Sequence, residues 1–228
     1  MKRVLKIFAL GIGIGVLSLL VQRAFQVPKD IFLHFYWIFG AVVIVGAIFF
    51  NFLYIRAYEK KMSSAAALLE SGHPREYLAA VENLRRTARG RYLSTVFTVN
   101  LSAGYCDLHE YQTAIELLEG LTDPRFYGVL KMVRRLNLCA CYFYDRQVEK
   151  ALALYQESLE TFRPFRDRAP YGGNIAVLDV SAAIERGELD QAEVWLKTAR
   201  GIWCSPRLQD DYQALEERIR HERGKNPV

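Results

Sequence analysis

Two nine-residue segments of this chain repeat each other 34 positions apart. Residues 76–84 read Glu-Tyr-Leu-Ala-Ala-Val-Glu-Asn-Leu, and residues 110–118 read Glu-Tyr-Gln-Thr-Ala-Ile-Glu-Leu-Leu. They share Glu, Tyr, Ala, a β-branched residue, Glu and Leu at matching places. A period near this length is typical of stacked helical hairpins, because a single hairpin cannot bury its apolar face alone. We therefore expect most of the chain to be an array of helical hairpins.

The pattern of apolar residues after Arg56 agrees with this expectation. Apolar residues recur at spacings of three and four, which is the helical period, and no alternating pattern typical of strands occurs. Proline-containing breaks separate the helical stretches, at residues 72–74, 122–124, 163–164, 169–170 and 205–206. The sequence therefore predicts an all-α region with short connections.

Two apolar runs precede this region, at residues 7–21 and 31–55. The second would be roughly 37 Å long as a helix, which is ample for a hydrocarbon core of about 30 Å. The first is shorter, and residues 1–21 also resemble a signal peptide with a basic start. No small-x-small cleavage site follows it, so we favour a retained span. The sequence thus predicts an N-terminal transmembrane helical hairpin.

The net charge of +5 comes mainly from the N-terminal segment, because residues 1–30 supply five cations and one acid. The remainder is close to neutral, which argues against a nucleic-acid partner. Cations precede the first run and follow the second, so the positive-inside bias places both termini in the cytoplasm, with a short external loop. The four cysteines form no disulfide framework, in agreement with a reducing compartment. The predicted location is the cell membrane, with two spans.

Two segments carry a fuller repeat pattern. Residues 100–105 (Asn-Leu-Ser-Ala-Gly-Tyr) precede Tyr111 and Ala114, and residues 137–142 (Asn-Leu-Cys-Ala-Cys-Tyr) precede Ala151. In this respect the chain resembles the tetratricopeptide repeat (TPR) family, whose unit is a pair of antiparallel helices with small and large apolar residues at fixed offsets. The resemblance covers residues 57–206, with two specific and two degenerate units. Pivotal alanines mark the four units: Ala80, Ala114, Ala151 and Ala192.

The expected organisation has four parts. Residues 1–30 hold the first span and the external loop, and residues 31–56 form a second span that continues into the first repeat helix. Residues 57–206 form a TPR-like α-solenoid of about four hairpins, and residues 207–228 a capping helix and tail. The last helix places four apolar residues on one face: Leu208, Tyr212, Leu215 and Ile219. The spacing of the pivotal alanines lengthens from 34 to 37 to 41 residues, which predicts an irregularity at residues 161–171.

No catalytic motif is present in the sequence. The four histidines are far apart and lack a second ligand at helical spacing, and Gly172-Gly173 follows no strand and precedes no Lys-Ser/Thr. We therefore expect no enzyme activity, no metal or other cofactor, and no small-molecule substrate.

The TPR resemblance implies a peptide-binding groove lined by the first helices of the hairpins. Five residues are candidates for lining it: Asn100, Asn137, Phe143, Tyr144 and Asn174. The alternative is that these side chains only bridge neighbouring repeats. A basic cluster is a candidate for contact with lipid headgroups: Arg85, Arg86, Arg89 and Arg91. The alternative there is a solvated helix end, whose cations favour the helix dipole.

The sequence thus favours a membrane-anchored scaffold or adaptor that binds a protein or peptide partner on the cytoplasmic side, with membrane lipid as a second contact. The alternative is an accessory subunit of a membrane complex, such as one for secretion or envelope assembly, held mainly through its spans. Gly11 and Gly15 offer a small-residue face for packing of the two spans or for dimerisation. Nothing in the sequence identifies the partner.

Overall fold

The computed structural model describes residues 28–121 and 128–225, together with positions 15, 16, 20, 23 and 24. The described residues form nine α-helices and one short 3-10 helix, and they contain no strand. The predicted all-α class is therefore confirmed. The chain divides into two compact units, Met1–Ala57 and Tyr58–Val228. The first predicted span lies almost wholly outside the described residues.

Helix α1 runs from Lys29 to Glu70. Its apolar part belongs to the first unit, and none of its most apolar stretch is buried by the protein. Leu33, Trp37 and Phe50, for example, are 58%, 69% and 72% exposed. A continuous band of large, exposed apolar side chains is typical of a helix that is surrounded by lipid rather than by water. α1 is long and apolar enough to span a membrane.

The second unit is built from helices that follow one another closely. The bounds are α2 Pro74–Thr87, α3 Arg91–Asp107, α4 Tyr111–Glu119, α5 Gly128–Tyr144, α6 Val148–Phe162, α7 Gly172–Glu185, α8 Leu189–Ile202 and α9 Pro206–Lys225, with a 3-10 helix at Arg163–Phe165. Helix α3 pairs with α4, α5 with α6, and α7 with α8. The leading helices α3, α5 and α7 also contact one another in sequence. The result is a row of helical hairpins.

The same turn ends α1, α3, α5 and α7. At each one a residue adopts the left-handed conformation, with φ between 60° and 79°: Gly72, His109, Arg146 and Gly187. Its N–H bonds the carbonyl three residues back, and the next N–H bonds the carbonyl five residues back. This pair of bonds is the Schellman motif, which satisfies the last carbonyls of a helix and reverses the chain. The turns lie 37, 37 and 41 residues apart, so the last interval is the longest.

Small residues allow the helices of each hairpin to approach closely. Ala114, Ala151 and Ala192 are completely buried in α4, α6 and α8, where their methyl groups face the leading helices. Large side chains such as Phe97 and Phe162 fill the remaining space between hairpins and are at most 1% exposed. Alternation of small and large residues is how packed layers reach the density of a protein core.

The last helix, α9, packs on α7 and α8. The four residues assigned to one face from the sequence are all buried there: Leu208, Tyr212, Leu215 and Ile219. The helix also reaches back along the row. Arg207 pairs with Asp107 at the end of α3. Arg218 pairs with Glu185 at the end of α7. α9 therefore links the ends of distant leading helices rather than covering only the last hairpin.

Candidate binding surfaces

The predicted groove residues Asn100 and Asn137 make contacts within the array. The Asn137 side-chain amide donates to Ser102 Oγ at 3.1 Å and to the Val99 carbonyl at 3.3 Å, and so ties α5 to α3. The Asn100 amide donates to the Val96 carbonyl of its own helix at 2.8 Å. The side chain of Asn137 thus bridges neighbouring hairpins, in the way that the alternative interpretation describes.

Phe143 and Tyr144 end helix α5, next to α9. Phe143 is 4% exposed. The Tyr144 hydroxyl donates to Asp211 Oδ1 of α9 at 2.6 Å, and its ring stacks on Tyr111 with centroids 5.4 Å apart. A cavity of about 360 Å³ beside this contact is lined by both residues and by residues of α9. Asn174, half-buried in the first turn of α7, does not line it.

Burial raises the pKa values of both groups in the Tyr144–Asp211 contact. Asp211 lies close to α5, and removal from water raises the pKa of its carboxyl group, although the hydrogen bond from Tyr144 and the charge of Arg207 act in the opposite direction. Burial also raises the pKa of the Tyr144 hydroxyl well above its ordinary value. Tyr144 is therefore a neutral donor at physiological pH, and its role here is to hold α9 in place.

The predicted lipid-contact residues Arg85, Arg86, Arg89 and Arg91 are all exposed. They lie at the end of α2 and at the start of α3. Arg85 makes two hydrogen bonds of 2.8 Å to the carboxylate of Glu82, which lower the pKa of that carboxyl group. The cluster forms one basic surface of the second unit, with exposed Tyr92 beside it.

A larger cleft lies between α6 and α8, with α7 as its floor. Its volume is about 590 Å³. It is lined mainly by apolar side chains of the three helices: Tyr155, Leu159, Ile175, Ala176, Trp195, Ala199 and Ile202, with Trp203 after α8. The connection from α6 to α7 contributes Arg166 and Asp167. Clefts of this size with apolar walls and a few placed polar groups are typical of ligand sites.

A polar network crosses the floor of the cleft. Asp179 of α7 accepts a hydrogen bond of 2.6 Å from the Tyr155 hydroxyl. Its two carboxylate oxygens also accept from the guanidinium of Arg166. Burial, followed by the charge of Asp179, raises the pKa of Tyr155. The guanidinium of Arg166 balances the charge of this carboxylate, and the network joins the α5–α6 hairpin, the connection and the α7–α8 hairpin.

The wall formed by α8 is left open to solvent. Trp195 is 38% exposed and Ile202 is 61% exposed, although both line the cleft. No motif in the sequence indicated this site. Two signals could have indicated it: the lengthened repeat interval between Ala151 and Ala192, and apolar residues at helical spacing on a helix that already has a buried face.

Among the described residues no group of histidine, cysteine, aspartate or glutamate side chains could hold a metal ion. The four cysteines are unpaired, and burial raises the pKa of the Cys139 thiol to about 12. Such a thiol is protonated at physiological pH and is a poor nucleophile. No protein-family model, curated protein or solved structure matches this chain.

Proposed function

We propose that the chain is a membrane-anchored adaptor whose helical-hairpin region binds a protein partner on the cytoplasmic side. The observation that carries this proposal is the cleft between α6 and α8, in which Trp195 and Ile202 remain exposed beside a packed core. Exposed aromatic and aliphatic side chains at the edge of a cleft are the usual anchors of protein recognition.

The proposal includes the TPR-like character of the hairpins. The identical turns at Gly72, His109, Arg146 and Gly187 support it, as do the buried alanines of α4, α6 and α8. TPR domains generally hold peptides against their leading helices, which would place Asn100, the cavity beside Tyr144 and the first turn of α7 on that face. The bridging contacts of Asn137 favour the cleft as the principal site.

Membrane attachment supports the adaptor interpretation. The exposed apolar part of α1 supplies one span, and the charge pattern of the sequence favours a second span before it with both termini in the cytoplasm. The exposed arginines at the end of α2 and the start of α3 are proposed to contact anionic lipid headgroups. Each cation near an anionic bilayer surface adds to the free energy of membrane binding.

One observation favours the alternative function, that of an accessory subunit held through its spans. A Cβ added at Gly40 or Gly46 of α1 would meet no atom of the described residues within 4 Å. Small residues with open space above them allow another transmembrane helix to approach closely. In that case the partner would be recognised by the apolar segment and not by the hairpin region.

An exchange of the anchor separates the two functions. Residues 1–56 are replaced by an unrelated two-span segment of the same topology, and interacting proteins are identified by crosslinking in native membranes. We expect the exchanged chain to keep the crosslinked partners of the natural chain, because the cleft is unchanged. Loss of every partner would reject the adaptor function in favour of the spans.

A further inference from the structure

The cleft between α6 and α8 follows one face of α7 for about two helical turns. Floor residues recur at spacings of three and four, at Gly172, Ile175, Ala176 and Asp179, and wall residues recur in the same way on α8, at Trp195, Thr198, Ala199 and Ile202. Two turns correspond to roughly 11 Å. A straight groove bounded by parallel rows of side chains is the shape that accepts one face of another helix.

Apolar side chains along this groove can make hydrophobic contacts with a bound partner. Ile202 and Trp195 present apolar atoms to solvent at its open side, and Ala176 and Ala199 leave room between them. The cleft is too small for a complete helix, but it can take the apolar side chains from one helical face. Such anchors follow the spacing i, i+3, i+4, i+7 in a bound helix.

The charges at the two ends of the cleft differ. Arg186, at the C-terminal end of α7, donates to the Gln156 amide oxygen at 3.1 Å and lies over the Tyr155 ring. No carboxylate of the described residues forms an ion pair with it. Asp167, before the N-terminus of α7, is exposed and has no ion-pair partner in the described part of the chain. The floor itself is neutral, because Asp179 pairs with Arg166.

We propose that this cleft binds a short amphipathic helix of the protein partner. The apolar face of that helix covers Trp195 and Ile202, and an acidic residue at one end lies beside Arg186. A basic residue at the other end complements Asp167. This inference rests on the proposed adaptor function and specifies the class of partner: a helical segment with an apolar stripe and unlike charges at its ends.

Two synthetic peptides test the charge complementarity. Both carry leucines at i, i+3, i+4 and i+7, and they differ only in having two glutamates or two glutamines at one end. Binding of the labelled peptides to the full chain in zwitterionic lipid nanodiscs is measured by fluorescence anisotropy, with empty nanodiscs subtracted. We expect the glutamate peptide to bind about 3- to 10-fold more tightly, and this preference to disappear in Arg186→Gln.

A matched pair of variants tests the apolar contact. Ile202 and Val194 lie on the same helix and are 61% and 59% exposed, but only Ile202 lines the cleft. We expect Ile202→Glu to weaken binding of the glutamate peptide at least about 10-fold and Val194→Glu to change it less than about 2-fold. Thermal unfolding of both variants verifies that the hairpins remain folded.

Three results would overturn the proposal. Neither peptide binds, or Ile202→Glu and Val194→Glu weaken peptide binding equally, or the preference for the glutamate peptide survives in Arg186→Gln. None of these results bears on the anchor exchange, which tests whether the hairpin region holds a partner at all. Failure of the helix-binding cleft can therefore be distinguished from failure of the adaptor function.

Discussion

Two junctions between neighbouring hairpins are held together by different contacts. Between the α3–α4 and α5–α6 pairs, at the junction that we call closed, the Asn137 amide donates to Ser102 and the Tyr142 hydroxyl donates to Glu119. Between the α5–α6 and α7–α8 pairs, the trailing helices α6 and α8 stand apart. Tyr155 and Arg166 meet over Asp179 at the floor of an open cleft.

The difference indicates that a longer repeat interval can leave an open surface between two hairpins. At the closed junction, side-chain hydrogen bonds join α5 directly to α3 and α4. At the open junction, the longer interval brings a 3-10 helix and a loop into the array, and the loop supplies Arg166 and Asp167. Stability at this junction depends on a few specific contacts, and its surface is available for binding.

The largest expected effect concerns Gly172, which begins α7 at the open junction. A Cβ at this position would overlap the Arg166 carbonyl oxygen and the Trp203 ring, and a backbone carbonyl cannot move aside as a flexible side chain can. We expect Gly172→Ala to lower the free energy of unfolding by about 3 kcal/mol. Gly201→Ala, in open space on α8, is the control and should be neutral or stabilising. Equal denaturation midpoints would show that the junction tolerates movement.

The second expected effect concerns the floor network. Asp179→Ala leaves the Tyr155 hydroxyl and the Arg166 guanidinium without their acceptor. Because Arg166 is partly solvated, we expect a loss of about 2 kcal/mol rather than that of a fully buried charge. Asp179→Asn keeps one acceptor and should lose less. Denaturant titrations of both variants measure the difference, and equal losses would contradict a hydrogen-bonding role.

A third prediction addresses the closed junction. Asn137→Ala removes the bonds to Ser102 and Val99, and we expect it to cost about 1 kcal/mol. Asn174→Ala at the open junction should cost less than about 0.5 kcal/mol, since that side chain bridges no hairpins. If the ranking of the two variants were reversed in chemical denaturation, the closed junction would not depend on Asn137.

Substitutions in the turns are expected to change the free energy of unfolding by a smaller amount. Arg146 holds a left-handed φ of 61°, and Gly187 a φ of 77° in the equivalent turn. Arg146→Gly should therefore raise the free energy of unfolding by about 0.5 kcal/mol, and Gly187→Ala should lower it by about 1 kcal/mol. Thermal denaturation of the two variants measures both shifts. Shifts of the same sign would mean that backbone strain does not govern these turns.

The smallest effect is a dependence on pH at α9. Because burial raises the pKa of Asp211 in the folded state, its carboxyl group stabilises the fold when protonated, and this contribution is lost as the pH rises through the folded pKa. Asp211→Asn keeps an acceptor for Tyr144 but does not titrate. The stability gained by the variant should therefore be larger at about pH 7 than at about pH 4. A difference independent of pH would assign the effect to packing.

Much of the fold could be predicted because it depends on local periodicity. The helical pattern, the proline breaks and the buried face of α9 (Leu208, Tyr212) follow directly from the spacing of apolar residues. The cleft could not be predicted in this way. It depends on where the lengthened connection places Arg166 against Asp179 and on which face of α8 is left uncovered by its neighbours. These are long-range contacts, and periodicity carries no information about them.

The bond from Arg207 to Asp107 joins residues 100 positions apart. Linear repeat arrays generally unzip from their ends, since each unit contacts only its neighbours. Here the last helix bonds the end of α3, so fraying from the C-terminus must also break a contact with an early hairpin. During synthesis the early hairpins must wait for the final twenty or so residues before these contacts can form. A chain that lacks α9 would therefore lack the contact that joins the last helix to the end of α3.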